Sequence, residues 1–222
     1  MGAVWPAGAN PRLPERMLIM NNRKLKLFPA GLLALLFSVS AFAQIDCVGG
    51  SAAVASVLLN PGAANSNLNP YINQRHVFCG ELRDNNTATG YHSRPGGHDP
   101  ILAPAVLAAR VTGAVAQSAH YPGVYRGVGI QVRQVLGAWF NKQPDFSTFF
   151  PDHCTQAQVV ASIGYAYSQD PQVASAQFHG PSAPNAGAPL YCTGSDGSLL
   201  QVQGYLNSIG GNWIVNTAYP QM

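Results

Sequence analysis

Ala41-Phe42-Ala43 followed by Gln44 limits what the chain can fold into, because a small-x-small site at that place closes a leader. Ahead of it, Met20-Asn-Asn-Arg-Lys-Leu-Lys26 is a basic n-region, and Leu27 to Phe37 is apolar but too short to span a bilayer. Residues 20–43 are therefore read as a secretory signal peptide cleaved near Ala43, which makes the mature protein secreted or periplasmic. Residues 1–19 fit neither signal nor domain and are read as an extension from an upstream start codon. Residues 44–222 remain to fold, enough for one domain with a proper core. The four cysteines, Cys47, Cys79, Cys154 and Cys192, all follow the leader, into a compartment where disulfides persist. They allow three pairings that spacing does not decide, and none has structural-zinc spacing.

Removing the leader also changes the charge argument. The formal +3 rests on five basic leader residues set against Glu15. The mature part keeps six arginines and Lys142 against eight acids, a net −1. That balance argues against a broad phosphate-tracking surface, and any phosphate chemistry must be local.

Along the mature chain, Ser51–Leu59 is apolar and helix-compatible, and residues 62–73 read as loop. Residues 101–117 are ambiguous between helix and strand, and Val124–Arg133 alternates as a strand does. Lys142–Asp145 predicts a polar turn with a solvated lysine. Asp152–Gln169 predicts a helix, capped by Asp152 or Thr155 and carrying the stripe Val159, Val160, Ile163 and Tyr167. Residues 171–189 read as loop, and the strands Leu199–Leu206 and Trp213–Tyr219 as a hairpin. The mixture points to an α+β fold with antiparallel pairing.

Within Arg75–Gly97, a polar stretch read as loop, His76 and His92 stand among glycines. One neutral and one protonated imidazole can move a proton off a nucleophile and give one to a leaving group. Glycines beside them let backbone approach an anion. Two loop histidines alone are a weak signal, and in a secreted domain they are more often hydrogen-bonded or exposed bystanders. Strand periodicity puts Trp213, Val215, Thr217 and Tyr219 on one face, where a hydroxyl and an aromatic could meet a phosphate oxygen and a base.

Four motifs then occur in order: His76-Val-Phe-Cys-Gly-Glu81, Gly90-Tyr-His92-Ser-Arg-Pro-Gly-Gly97, Ser147-Thr-Phe-Phe-Pro-Asp152 and Asn216-Thr-Ala-Tyr-Pro220. From about Gln74 to the C-terminus the chain resembles bacterial EndoU-type endoribonucleases, with related patterns in eukaryotic EndoU and the nidoviral uridylate-specific endoribonuclease. The resemblance implies an EndoU-like catalytic domain over residues 74–222, with N-terminal helices and antiparallel sheets, preceded by a helical or loop segment at 44–73. It implies cleavage of single-stranded, uridine-containing RNA on the 3′ side of uridylate, giving 2′,3′-cyclic phosphate and 5′-OH ends. His92 is then the general base and His76 the general acid, with Thr217, or Lys142 as second choice, facing the phosphate oxygens. Tyr219 would stack on uracil, Ser147 or Thr148 would read its edge, and Arg94 would contact phosphate or brace its loop. No cofactor is required on this view, with modulation by Mn²⁺ left open, and a monomer is expected. An antibacterial toxin role with an immunity protein as partner comes from the resemblance alone. A non-catalytic binding module on the same fold and a metallohydrolase using His76, His92 and His98 are the competing readings.

Overall fold

The computed structural model describes residues 44–49, 51–83, 86–133 and 137–222, all within one compact unit, Ser40–Met222. Residues 1–43, with the expected signal peptide and its cleavage site at Ala43, lie outside the described residues.

The fold is α+β, with few helices and several antiparallel sheets. Its largest sheet has five strands, in the order Val57–Leu58, Tyr71–Ile72, Asn212–Pro220, Gln201–Ile209 and Gln177–Pro181. The C-terminal hairpin at its centre has the alternating pattern expected of it, with Val202, Gly204 and Leu206 buried on one face of Gln201–Ile209. Tyr71–Ile72 runs parallel to Asn212–Pro220, and the other pairings in this sheet are antiparallel. Two three-stranded antiparallel sheets fill the middle of the chain, one of Ala109–Val111, Ile130–Val132 and Phe140–Asn141, the other of Val115–Gln117, Tyr125–Val128 and Phe146–Phe149.

Two helices matter to the site. The first, α1, is Gln74–Phe78, and the second, α2, is Gln156–Gln169. Thr155 and Gln158 form a capping box that starts α2, which buries Val159, Ile163 and Tyr167 against the five-stranded sheet. A five-residue helix cannot stand alone, so α1 depends on its surroundings. Val77 and Phe78 are fully buried, worth about 1.5–3 kcal/mol each. A disulfide from Cys79, the C-cap of α1, to Cys47 closes a loop with a sequence separation of 32, and loop-closure entropy puts its contribution at about 4 kcal/mol. The second disulfide joins Cys154 to Cys192.

Four expectations are corrected. Ser51–Leu59 is not a helix. Only Ala52–Val54 makes a 3₁₀ turn, and Val57–Leu58 is a strand, because Asn69 binds the backbone of Asn60 and folds the chain back onto Tyr71–Ile72. No α-helix therefore precedes α1 among the described residues. His76 stands on α1 rather than in a loop, since the Asn73 side chain accepts the His76 amide and starts a helical turn. Residues 171–189 include the strand Gln177–Pro181. Lys142 is no solvated turn residue but is 6% exposed.

The hairpin holds a further departure. Leu206 pairs with Val215 but Tyr205 with Thr217, so Asn216 is an extra residue in the ladder, a β-bulge. Val215 and Ala218, three apart, are both in the core, and Thr217 and Tyr219 are turned to the face opposite Val215. Strict alternation would have placed Val215, Thr217 and Tyr219 together.

Candidate active site

Gly90-Tyr91-His92 crosses α1 at close range. The Tyr91 amide donates to the His76 carbonyl and the His92 amide to the Val77 carbonyl, each at 2.7 Å. The crossing needs two consecutive residues in the left-handed region, Gly90 (φ 75°) and Tyr91 (φ 64°). A side chain at 90 has no room, since a Cβ there would lie 2.3 Å from the His76 carbonyl oxygen. Tyr91 bears the left-handed strain because its ring is fully buried edge-on to Phe149 and its hydroxyl donates to Asp99. On the far side, the Phe150 amide donates to the His92 carbonyl at 2.9 Å. His92 is thus clamped between α1 and the strand Phe146–Phe149.

Three rings follow one another by contact, His76 beside His92 and His92 beside Tyr219. The His76 and His92 centroids are 6.1 Å apart, and those of His92 and Tyr219 are 5.1 Å apart, both pairs inclined by 26°. The Tyr219 hydroxyl accepts from Gln203 Nε2 at 2.9 Å. Thr217, two residues earlier on the same face, pairs with Tyr205.

The two imidazoles differ in their partners. His92 Nδ1 lies 3.1 Å from the Thr148 carbonyl, which can only accept, so Nδ1 carries the proton and Nε2 keeps its lone pair. Burial, the nearby Lys142 charge and then His76 hold the His92 pKa well below the usual imidazole value, against the pull of Thr148. His76 Nδ1 instead faces the Glu81 carboxylate at 2.9 Å. Burial works to raise the Glu81 pKa, but the hydrogen bond and charge of His76, then Asn73 and Arg75, outweigh it and hold the carboxyl below its ordinary value. Glu81 reaches His76 because Glu81–Leu82 pairs back onto Ala88–Thr89, directly after α1. Asn73 Nδ2 touches both Glu81 (3.3 Å) and Asn216 Oδ1 (3.4 Å), tying α1 to the bulge beside Thr217.

Lys142 is buried close enough to His92 for its charge to act on that ring. Its ammonium donates to the Gly90 carbonyl at 2.9 Å and to Ser147 Oγ at 2.5 Å, and burial brings its pKa down to about 8. Ser147 and Thr148 are both buried. Arg94 is engaged by its own loop. Its guanidinium is 2.9 Å from Asp99 in a charge contact without directed hydrogen-bond geometry, donates to the Gly97 carbonyl, and lines a separate hollow with Tyr125 and Asp152. His98 is exposed, and among the described residues no three His, Cys, Asp or Glu side chains form a metal-holding group. Beyond His76, on the Glu81 and Asn216 side, opens a cleft of about 570 Å³.

Glu81 and Asn216 were visible in the sequence as members of quoted motifs, but no spacing rule marked them. Their roles follow from a hairpin and a bulge that only tertiary pairing reveals.

No helix among the described residues is long and apolar enough to cross a membrane, and two formed disulfides fit an oxidising compartment. No curated protein and no solved structure matches the chain. The family model described as bacterial EndoU nuclease matches residues 71–222, a span that contains both histidines, Glu81, Lys142 and the bulged strand with Thr217 and Tyr219. The chain belongs to the bacterial EndoU nuclease family.

Proposed function

We propose that the mature protein, exported after cleavage near Ala43, is an endoribonuclease that cuts 3′ of uridylate by transesterification. The observation that carries this reading is the pairing of two adjacent imidazoles with opposite partners, a carbonyl for His92 and a carboxylate for His76. His92 Nε2 takes the proton of the 2′-OH as that oxygen attacks phosphorus. The bond from phosphorus to the 5′-oxygen breaks, and that oxygen takes the proton of His76 Nε2. The products are a 2′,3′-cyclic phosphate and a 5′-OH. A depressed pKa keeps His92 neutral and able to accept, while the Glu81 carboxylate accepts at His76 Nδ1 and orients the ring with Nε2 free for the leaving oxygen.

Thr217 donates to a non-bridging oxygen, where charge grows in the transition state. Lys142 supplies a positive charge close to His92 and braces Gly90. Tyr219, beside the His92 ring, stacks on uracil. The burial of Ser147 and Thr148 and their bonds to Lys142 and His92 favour positioning over base-edge reading. The ion pair of Arg94 with Asp99 favours bracing of its loop.

The test is cleavage of a short RNA carrying all four bases, in EDTA, with end-group identification of the products. Cyclic phosphate ends confined to uridine are expected, and Tyr219→Ala is expected to spread cleavage to other bases. Hydrolytic 3′-phosphate or 5′-phosphate ends as primary products, or an unchanged base preference in the variant, contradict this reading.

A second expectation concerns pH. His92 must be neutral, so the acidic limb of kcat/KM should lie below the ordinary imidazole value of 6.5. Activity should fall again near pH 8, where Lys142 loses its charge. Lys142→Met removes a cation that disfavours protonation of His92, so the acidic limb should move to higher pH. A limb that stays in place or moves lower excludes this coupling.

A further inference from the structure

The cleft beyond His76 is lined by Arg75, Arg83 and Arg133, together with Glu81, Leu82 and Asn216. Three of the six mature arginines thus meet in one place on a chain whose mature net charge is −1. The one acid among them, Glu81, is already engaged by His76. Two of the arginines are held ready. Arg75 donates to the carbonyls of Cys47 and Val48, each at 3.0 Å. Arg133 Nε donates to the Leu107 carbonyl at 2.7 Å, and its guanidinium lies over the Trp139 ring, 4.5 Å from the centroid. Arg110 lies over the same ring at 4.1 Å and extends the basic surface past the cleft. A guanidinium has five N–H donors, and one anchored through a few of them keeps others for phosphate while losing less freedom on binding. Arg83 is exposed. The volume, about 570 Å³, suits a nucleotide-sized ligand.

The order of groups gives this surface a direction. Tyr219, His92, His76 and then the arginine cleft follow one another. With uracil on Tyr219 and the 2′-OH at His92, the leaving 5′-oxygen at His76 faces the cleft. We infer that the arginine cleft is a subsite for the RNA segment 3′ of the cut, binding the phosphates of the leaving strand. The inference rests on the roles proposed above for His76 and His92.

The experiment compares three RNAs with one uridine each: the dinucleotide uridylyl-adenosine, the same unit extended by adenosines on its 3′ side, and the same unit extended on its 5′ side. Wild-type protein should show kcat/KM at least about tenfold higher for the 3′-extended RNA than for the dinucleotide, through KM. The 5′ extension should give little gain. The 3′ gain should shrink with added salt, with a log–log slope of about −0.7 for each phosphate engaged. Arg83→Glu should abolish most of the gain, whereas Arg126→Glu, the same charge change outside the cleft, should retain it. Equal kcat/KM for all three RNAs overturns the subsite and leaves the arginines to an acidic protein partner. A gain confined to the 5′ extension overturns it too, as does an Arg83→Glu variant with the full 3′ gain. Wild-type protein that cuts none of the three removes the nuclease reading itself, a result distinct from uniform cleavage.

Discussion

His92→Ala is expected to lower kcat/KM on uridine-containing RNA by about 10²–10⁴-fold, the usual weight of a positioned general base, and His76→Ala by a similar factor. Melting should separate this from unfolding. Both rings stand at the edge of the core, beside the fully buried Val77, Phe78 and Tyr91 that hold their segments in place. The backbone bonds that join α1 to Gly90–His92 use main-chain atoms and survive truncation of either ring. Since the two residues share one transition state, the double variant should be little worse than either single one. Retained turnover in a folded single variant would remove that histidine from the reacting groups. His92→Ala and His76→Ala should also differ in one respect. Removing His76 leaves the Glu81 carboxylate without its main partner, so that variant should lose some stability, most evident above the carboxyl's ordinary titration range where Glu81 is charged.

Gly90→Ala is expected to be nearly as damaging to activity by another route. The left-handed backbone alone costs a Cβ about 1–2 kcal/mol. The added carbon would also lie 2.3 Å from the His76 carbonyl oxygen and 3.0 Å from the His76 ring, so α1 and the His92 segment must separate. A shift of about 1 Å between catalytic groups can cost 10²-fold, and a loss of at least about that size is expected with a clear fall in melting temperature. Gly62→Ala is the matched control. Its φ is also positive, but a Cβ there meets nothing within 4 Å, so it should pay the backbone strain and keep full turnover. Equal behaviour of the two variants would show that the approach of the two segments is not what sets the site.

Much of this fold was legible where local pattern and tertiary demand agree. The α2 helix shows its cap at Thr155 and its stripe from Val159 to Tyr167, and the terminal hairpin shows its alternation. The strand Gln177–Pro181 was hidden because helix α2 packs so closely that Gly180 must be bare there, a Cβ lying 2.4 Å from the Ala166 carbonyl oxygen. With glycine inward at 180 and proline at 181, this five-residue strand keeps only Phe178 as an inward apolar mark, too little for alternation to be read. Lys142 looked solvated because it precedes a proline turn, and its burial depends on the Gly90 carbonyl, 52 residues away. The bulge at Asn216 could not be read either, since a period-two pattern carries no mark of an inserted residue until its partner strand is placed. The histidine pair was visible as residues and motif. Its asymmetry was not, because Thr148 and Glu81 reach the two rings from different strands.

The central claim is that the substrate supplies its own nucleophile, activated at His92 Nε2. The direct measurement uses an RNA whose single uridine lacks only the 2′-hydroxyl, incubated with the mature protein beside the all-ribo parent. The parent should be cut after uridine and the deoxy substrate should stay intact at that bond while still competing for binding. Cleavage of the deoxy bond at a comparable rate would mean that water or another group attacks phosphorus, and the roles given to both histidines would be wrong.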